Sequence, residues 1–185
     1  MILASGSPRR KELLQMLEVP FEVLVSDTKE VITKNEPAEV TKELSYQKAM
    51  AVAGQVEEGI IIGADTVVSI DGKILGKPAD KEEAREMIYK LQGKSHMVYT
   101  GVTVIAKSGD MVSASLFAEG TKVNVAPMTE NEIEAYISTD EPYDKAGAYG
   151  IQGLFGKFIE GIKGDYFNVV GLPIHRLYEE LKKFD

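Results

Sequence analysis

Asp65 follows Gly63-Ala64 at the close of an unbroken apolar run, Ile60-Ile61-Ile62, and precedes Thr66. β-branched residues in a continuous run, opened and closed by glycine, read as a strand covered on both faces, which places Asp65 in or just past a hydrophobic sheet. An ionised carboxylate there needs a cation or several hydrogen-bond donors, or its pKa must rise, and any of these conditions suits a metal ligand or a general base. A structural aspartate capping a neighbouring turn fits the same stretch.

The second concentration of chemistry lies near the N-terminus. Ser5-Gly6 reads as a turn, and Ser7-Pro8 as a helix start with serine as N-cap and proline at the first helical position. Arg9, Arg10 and Lys11 crowd the first turn, where the positive end of the helix dipole disfavours each exposed cation by about 0.3–1 kcal/mol. A small-residue loop, open backbone N–H groups and two arginines make an anion site suited to phosphate, although not a Walker loop. Solvated cations partly neutralised by Glu12 are the plainer alternative. Lys48, Lys77 and Lys145 add further cations to a chain whose formal net charge is −8. That balance disfavours broad binding to nucleic acid or anionic membrane and leaves anions to be met by a local basic cluster.

The elements that must position these groups alternate between strands and helices. Met1 to Ala4 is a short strand, Leu13, Leu14 and Leu17 mark the packing face of the first helix, and Phe21 to Val25 is a second strand followed by a polar loop with Asp27 and Glu30. A helix follows from about Pro37 to Gln55, and Lys48 falls on its inward stripe, so its ammonium either snorkels to the edge of the core or reaches into a cleft. Asp71-Gly72 is a two-residue hairpin turn whose return strand runs into Gly76-Lys77-Pro78. Asp80 caps the helix Lys81 to Leu91, His96 to Lys107 and Met111 to Val125 form a long hairpin, and Thr129 with Glu132 makes a capping box. His96 reads as structural.

The segment Asp140 to Gly156 holds Asp144, Lys145, Tyr149, Gln152 and four glycines with little apolar periodicity, and reads as more than packing alone; a flexible surface loop, which the charged Asp144-Lys145 pair also permits, is the plainer alternative. Lys157 to Ile162 and Tyr166 to Val170 are expected as a last hairpin, and Leu172 to Phe184 as a closing amphipathic helix. With 185 residues, 44% of them hydrophobic, the chain can bury a core as one domain over 1–185. Absence of cysteine excludes disulfides, thiol nucleophiles and thiolate-bound zinc. No run of about 20 apolar residues is present, so a soluble, intracellular protein with no membrane segment is expected.

Five stretches together resemble the motif series of the Maf family of nucleoside triphosphate pyrophosphatases. They are Ser5-Gly6-Ser7-Pro8-Arg9-Arg10, Gly63-Ala64-Asp65-Thr66, Gly76-Lys77-Pro78, Asp144-Lys145-Ala146-Gly147-Ala148-Tyr149-Gly150-Ile151-Gln152-Gly153 and Val170-Gly171-Leu172-Pro173. Order and spacing match over nearly the whole chain. The resemblance implies hydrolysis of a nucleoside triphosphate to the monophosphate and pyrophosphate with a divalent cation, Mg2+ or Mn2+, by cytoplasmic and often homodimeric α/β proteins that remove non-canonical nucleotides or trim pools. By the same resemblance Asp65 matches the family's proton acceptor, and Arg9, Thr66 and Gln152 match positions associated with base specificity in the branch acting on dTTP and UTP. The loop after the second strand often carries paired acidic residues in that family. Here Lys29 precedes Glu30, so only Glu30 can serve there as a carboxylate; Glu30 and Asp65 are the candidate ligands for one metal ion or two, with Asp65 either holding the metal or deprotonating the water directly.

The residues lead toward the same chemistry. A triphosphate carries close to four negative charges, and Ser5, Arg9, Arg10, Lys48, Lys77 and Lys145 offer it donors and cations. The amide of Gln152 can pair with the O4 and N3–H edge shared by uracil and thymine, and Thr66 adds a hydroxyl beside Asp65. The competing class is a nucleotide-binding regulator of cell division with little turnover. A carboxylate beside a cationic cluster is more than binding requires, since it repels phosphates unless a metal intervenes. An RNA-binding module is disfavoured by the net charge and the lack of a basic stripe with aromatics. The expected fold is α/β, Maf/ITPase-like, with a long mixed central sheet flanked by helices and two lobes around a cleft where Ser5 to Arg10, Asp65 and Gln152 meet.

Overall fold

The computed structural model describes residues 1–25 and 29–184, so Asp27 of the predicted polar loop lies outside the described residues. Helices alternate with strands early in the chain: β1 (Ile2–Leu3), α1 (Pro8–Gln15), β2 (Glu22–Val23), α2 (Pro37–Ala53), β3 (Glu58–Ile70), β4 (Lys73–Leu75) and α3 (Lys81–Leu91). Two long strands follow, β5 (Ser95–Ser108) and β6 (Met111–Val125), then α4 (Glu130–Ile137), short 3-10 turns, β7 (Ile159–Lys163), α5 (Tyr166–Val170) and α6 (Ile174–Leu181). Among the described residues the strands form one seven-stranded mixed sheet in the order β2-β1-β3-β5-β6-β7, with β4 paired to β3.

β1 runs parallel to both β2 and β3, with Ile2 opposite Ile61 and Leu3 opposite Ile62. Ile61, Ile62 and Ala64 are fully buried, as a strand covered on both faces requires. β4 turns back antiparallel on β3 through Asp71-Gly72, with Ile70 opposite Lys73. Asp80 caps α3 by accepting from the Glu83 amide, and Thr129 and Glu132 make the expected reciprocal box at the start of α4.

The chain divides into two compact units, the first holding Met1–Thr66, Thr100–Glu119 and Gly171–Asp185, and the second Val67–Tyr99 and Gly120–Val170. A core of the first packs Ile2, Ala4, Ala49, Val52, Ile61 and Ile105. The core of the second includes Val68, Ile88, Ile133, Tyr149, Phe155 and Phe158. A fully buried aliphatic or aromatic side chain of this kind contributes roughly 1.5–3 kcal/mol.

Three sequence expectations change. The second strand is only Glu22–Val23, and both of its residues are exposed. Ser7 occupies the N-cap position of α1 but its side chain makes no capping bond; its amide instead donates to Ser5 Oγ at 3.3 Å. The expected final hairpin does not form, because Tyr166–Val170 is helical. Asp165 Oδ1 accepts from the Phe167 amide at 2.8 Å, which starts a turn. The buried Asn168 carboxamide then donates to Val98 O and Thr121 Oγ1, a pair of bonds that holds the short helix in place. β7 finds its partner in β6, with Lys163 opposite Lys122.

Candidate functional site

Close approach of α2 to the sheet sets the geometry. A Cβ on Gly63 would lie 2.3 Å from Ser45 O and 2.9 Å from Ala49 Cβ, and one on Gly101 would lie 2.2 Å from the Thr41 carbonyl carbon. The helix backbone therefore rests directly on β3 and β5, nearer than a residue with a side chain permits. A buried hydroxyl pair, Ser45 and Thr103 at 2.9 Å, closes the same contact. Lys48, one turn beyond Ser45, is thereby delivered to Asp65, two residues beyond Gly63.

Lys48 Nζ donates to Asp65 Oδ1 at 2.5 Å and lies 3.1 Å from Glu30 Oε1. Of the two routes open to the lysine, it takes the one toward the carboxylates. Side-chain exposure rises from 13% at Asp65 through 25% at Lys48 to 46% at Glu30, so Asp65 is the enclosed end of this charge triad. The segment carrying Glu30 is strapped to α2. Gln47 exchanges two hydrogen bonds with the Val31 backbone, at 2.9 and 2.6 Å, and Glu43 accepts from the Thr33 amide at 2.8 Å and from its hydroxyl at 2.5 Å. Sequence reasoning missed these straps, since Glu43 and Gln47 have the polar character of a solvated helix face.

Arg10 reaches inward from α1. Its Nε donates to Gly171 O at 2.9 Å, Nη1 to Ser5 Oγ at 3.2 Å and Nη2 to Thr66 Oγ1 at 3.0 Å. Burial pulls the guanidinium pKa below its usual value and Arg9 adds to that, while Asp65 and Glu30 act in the opposite direction. Thr66 Oγ1 in turn meets Thr100 Oγ1 at 2.9 Å, a partner with no sequence signal of its own. Ser5, Arg10 and Thr66 thus form one cluster and Glu30, Lys48 and Asp65 another, joined through the adjacent Asp65 and Thr66. Three of the five N–H groups of Arg10 are spent on protein acceptors. The expected phosphate ligand is therefore also a structural tie between α1, β3 and the Gly171 turn.

The other predicted residues belong to the second unit. Lys77 and Gln152 are exposed. Lys145 Nζ is held within its own loop by Asp144 Oδ1 at 2.5 Å and Glu141 O at 2.8 Å. The 140–156 segment is built on 3-10 turns and buries Ala148, Tyr149 and Phe155, so packing has a larger share in it than the sequence suggests. His96 is buried, with Nε2 2.6 Å from the Tyr149 hydroxyl, and burial lowers its pKa to about 4; it is a core residue, as expected.

The fold is similar to that of the Staphylococcus aureus Ham1 protein, at a TM-score of 0.55 and 13% identity over 100% of this chain and 98% of that one. This is the mixed α/β architecture, with a long mixed central sheet and flanking helices, expected from the sequence.

The family model described as Maf-like protein matches residues 1–184, and the chain belongs to that family. A Bacillus cytotoxicus protein named dTTP/UTP pyrophosphatase is 54% identical over 185 residues, covering 100% of this chain and 95% of that protein. Proteins of the same name from Bacillus cereus and Bacillus anthracis are 51% identical over the same shares.

Proposed function

We propose that this chain hydrolyses dTTP, UTP and related pyrimidine nucleoside triphosphates to the monophosphate and pyrophosphate. The observation that carries the reading is the charge arrangement of the first unit, where two carboxylates from separate segments converge on Lys48 with the Arg10 cluster beside them. The names of the Bacillus relatives support the same reaction and the same bases.

In this reading a water attacks the α-phosphorus, the new O–P bond forms as the bond to the bridging oxygen breaks, and pyrophosphate leaves. Asp65 takes the proton of that water. Lys48 offsets the negative charge of the two carboxylates against the approaching phosphates. Arg9, Arg10, Lys77 and Lys145 bind phosphate oxygens, and Ser5 donates to them. Gln152 reads the O4 and N3–H edge of the pyrimidine, with Arg9 and Thr66 contributing to the choice of base.

The donor set suits a divalent cation. Two carboxylate oxygens already converge on one positive charge, and Mg2+ is commonly held by one or two carboxylates together with substrate phosphates. Glu30 and Asp65 would hold Mg2+ or Mn2+, which would screen the phosphate oxygens and make a nearby water more acidic.

The test is pyrophosphate release from a panel of nucleoside triphosphates with magnesium or manganese. Turnover of dTTP and UTP well above that of CTP and the purine nucleotides is expected. Preference for purines would overturn the assignment of the base, and tight nucleotide binding without hydrolysis would favour the regulator of cell division instead.

A further inference from the structure

Glu141 is an acidic side chain that the proposed reaction does not use, and its carboxylate accepts from three donors. Its Oε2 accepts from the Leu154 amide at 2.6 Å, and its Oε1 accepts from the Phe155 amide at 3.2 Å and from the Tyr136 hydroxyl at 3.1 Å. The two amides belong to the residues that follow Gln152-Gly153. Gly153 leaves the space in which the carboxylate sits, since a Cβ there would lie 2.2 Å from Oε2 and 2.4 Å from the carboxyl carbon. On the other side the Glu141 carbonyl anchors Lys145 Nζ, and the single O–H of Tyr136 is shared between Glu141 Oε1 and Ala148 O, each at 3.1 Å. Burial, reinforced by the charge of Glu141, raises the Tyr136 pKa, so its hydroxyl stays a donor.

Gln152 itself is exposed, and no protein partner orients its side chain among the described residues. Its aim rests on the backbone that carries it, and that backbone is fastened immediately downstream by one carboxylate. We propose that Glu141 is a positioning residue for base selection, a fixed acceptor that holds the 152–155 backbone so that the Gln152 carboxamide meets the pyrimidine edge in one orientation. The inference rests on the reading of Gln152 given above. A carboxylate is required because the site presents two backbone N–H donors and a hydroxyl. A glutamine in its place must turn its NH2 toward at least one of the two amides, and a donor facing a donor leaves a bond unmade.

The experiment compares kcat/KM for UTP and CTP in wild type and in Glu141→Gln, Gly153→Ala and Gln152→Ala. Glu141→Gln and Gly153→Ala, which disturb the same carboxylate from opposite sides, should each lower the UTP:CTP ratio about tenfold, the change expected from loss of one charge-assisted hydrogen bond. The change should fall mainly on KM for UTP. Hydrogen exchange at the Leu154 and Phe155 amides should quicken in both variants while α3 stays protected. A UTP:CTP ratio unchanged in Glu141→Gln, when Gln152→Ala lowers it, overturns the inference alone. An unchanged ratio in Gln152→Ala removes the assignment of Gln152 and the inference with it. Equal loss of kcat/KM on both nucleotides in Glu141→Gln would show a purely structural role and also overturns the proposal.

Discussion

Replacing Asp65 by asparagine keeps the shape of the side chain and removes its charge, so it separates chemistry from architecture. The Coulomb attraction between Lys48 and Asp65 at 2.5 Å is about 6–7 kcal/mol at an effective dielectric constant of about 20. Desolvation of two enclosed ions cancels most of it, at several kcal/mol per ion. The ammonium also keeps Glu30 at 3.1 Å after the substitution, so no buried cation is stranded. The net loss of stability should be about 1 kcal/mol, or about 2–4 °C in Tm for a chain of this length. Loss of a proton acceptor should lower kcat by at least about a hundredfold, equivalent to about 2.7 kcal/mol in the barrier. Pyrophosphate release from dTTP and a thermal melt on the same preparation test both numbers. Turnover within about threefold of wild type would remove Asp65 from the chemistry. A collapse in Tm together with activity would instead mark it as a structural aspartate.

Arg10→Lys keeps the charge but replaces a fork by a point donor that cannot span Ser5, Thr66 and Gly171; KM for dTTP should rise about tenfold and Tm should fall, and saturation kinetics matching wild type would refute the tie. Gly63→Ala should destabilise by about 3 kcal/mol or more, measured by urea unfolding, and should abolish turnover by lifting α2 and Lys48 from β3. His96 is neutral in the fold, with its pKa lowered by burial to about 4 against an ordinary value of 6.5. Its contribution is therefore complete above about pH 6.5 and is lost as pH falls toward 4, for a total of about 3 kcal/mol. Urea unfolding of His96→Gln should show a shallower acid slope than wild type over that window, and identical slopes would contradict the burial argument.

Much of the architecture was legible because its causes are local. The Asp71-Gly72 turn, the Asp80 cap and the Thr129-Glu132 box each depend on bonds spanning three residues or fewer, and all formed where the residue types required. The Ile60-Ile61-Ile62 run, β-branched and bounded by glycine, likewise reads as an enclosed strand, and Ile61 and Ile62 are buried within β3. Membership of the family was legible too, in motifs whose order and spacing are properties of the chain alone.

What the tertiary structure decided are choices among partners far apart in sequence. Lys48 could have snorkelled to solvent, and only the contact of α2 with Gly63 turned it toward a carboxylate 17 residues away. Arg10 found its acceptors 5, 56 and 161 residues away, which makes the arginine expected in an anion site a partly buried tie as well. Tyr166–Val170 has an apolar pattern that suits a strand or a short helix equally, and the buried Asn168 carboxamide, bonded to Val98 and Thr121, settled it as a helix. Local rules fix where the backbone turns, because those bonds close within a few residues. Which charge meets which depends on how closely two backbones can approach, and that is known only once the sheet and its helices have packed.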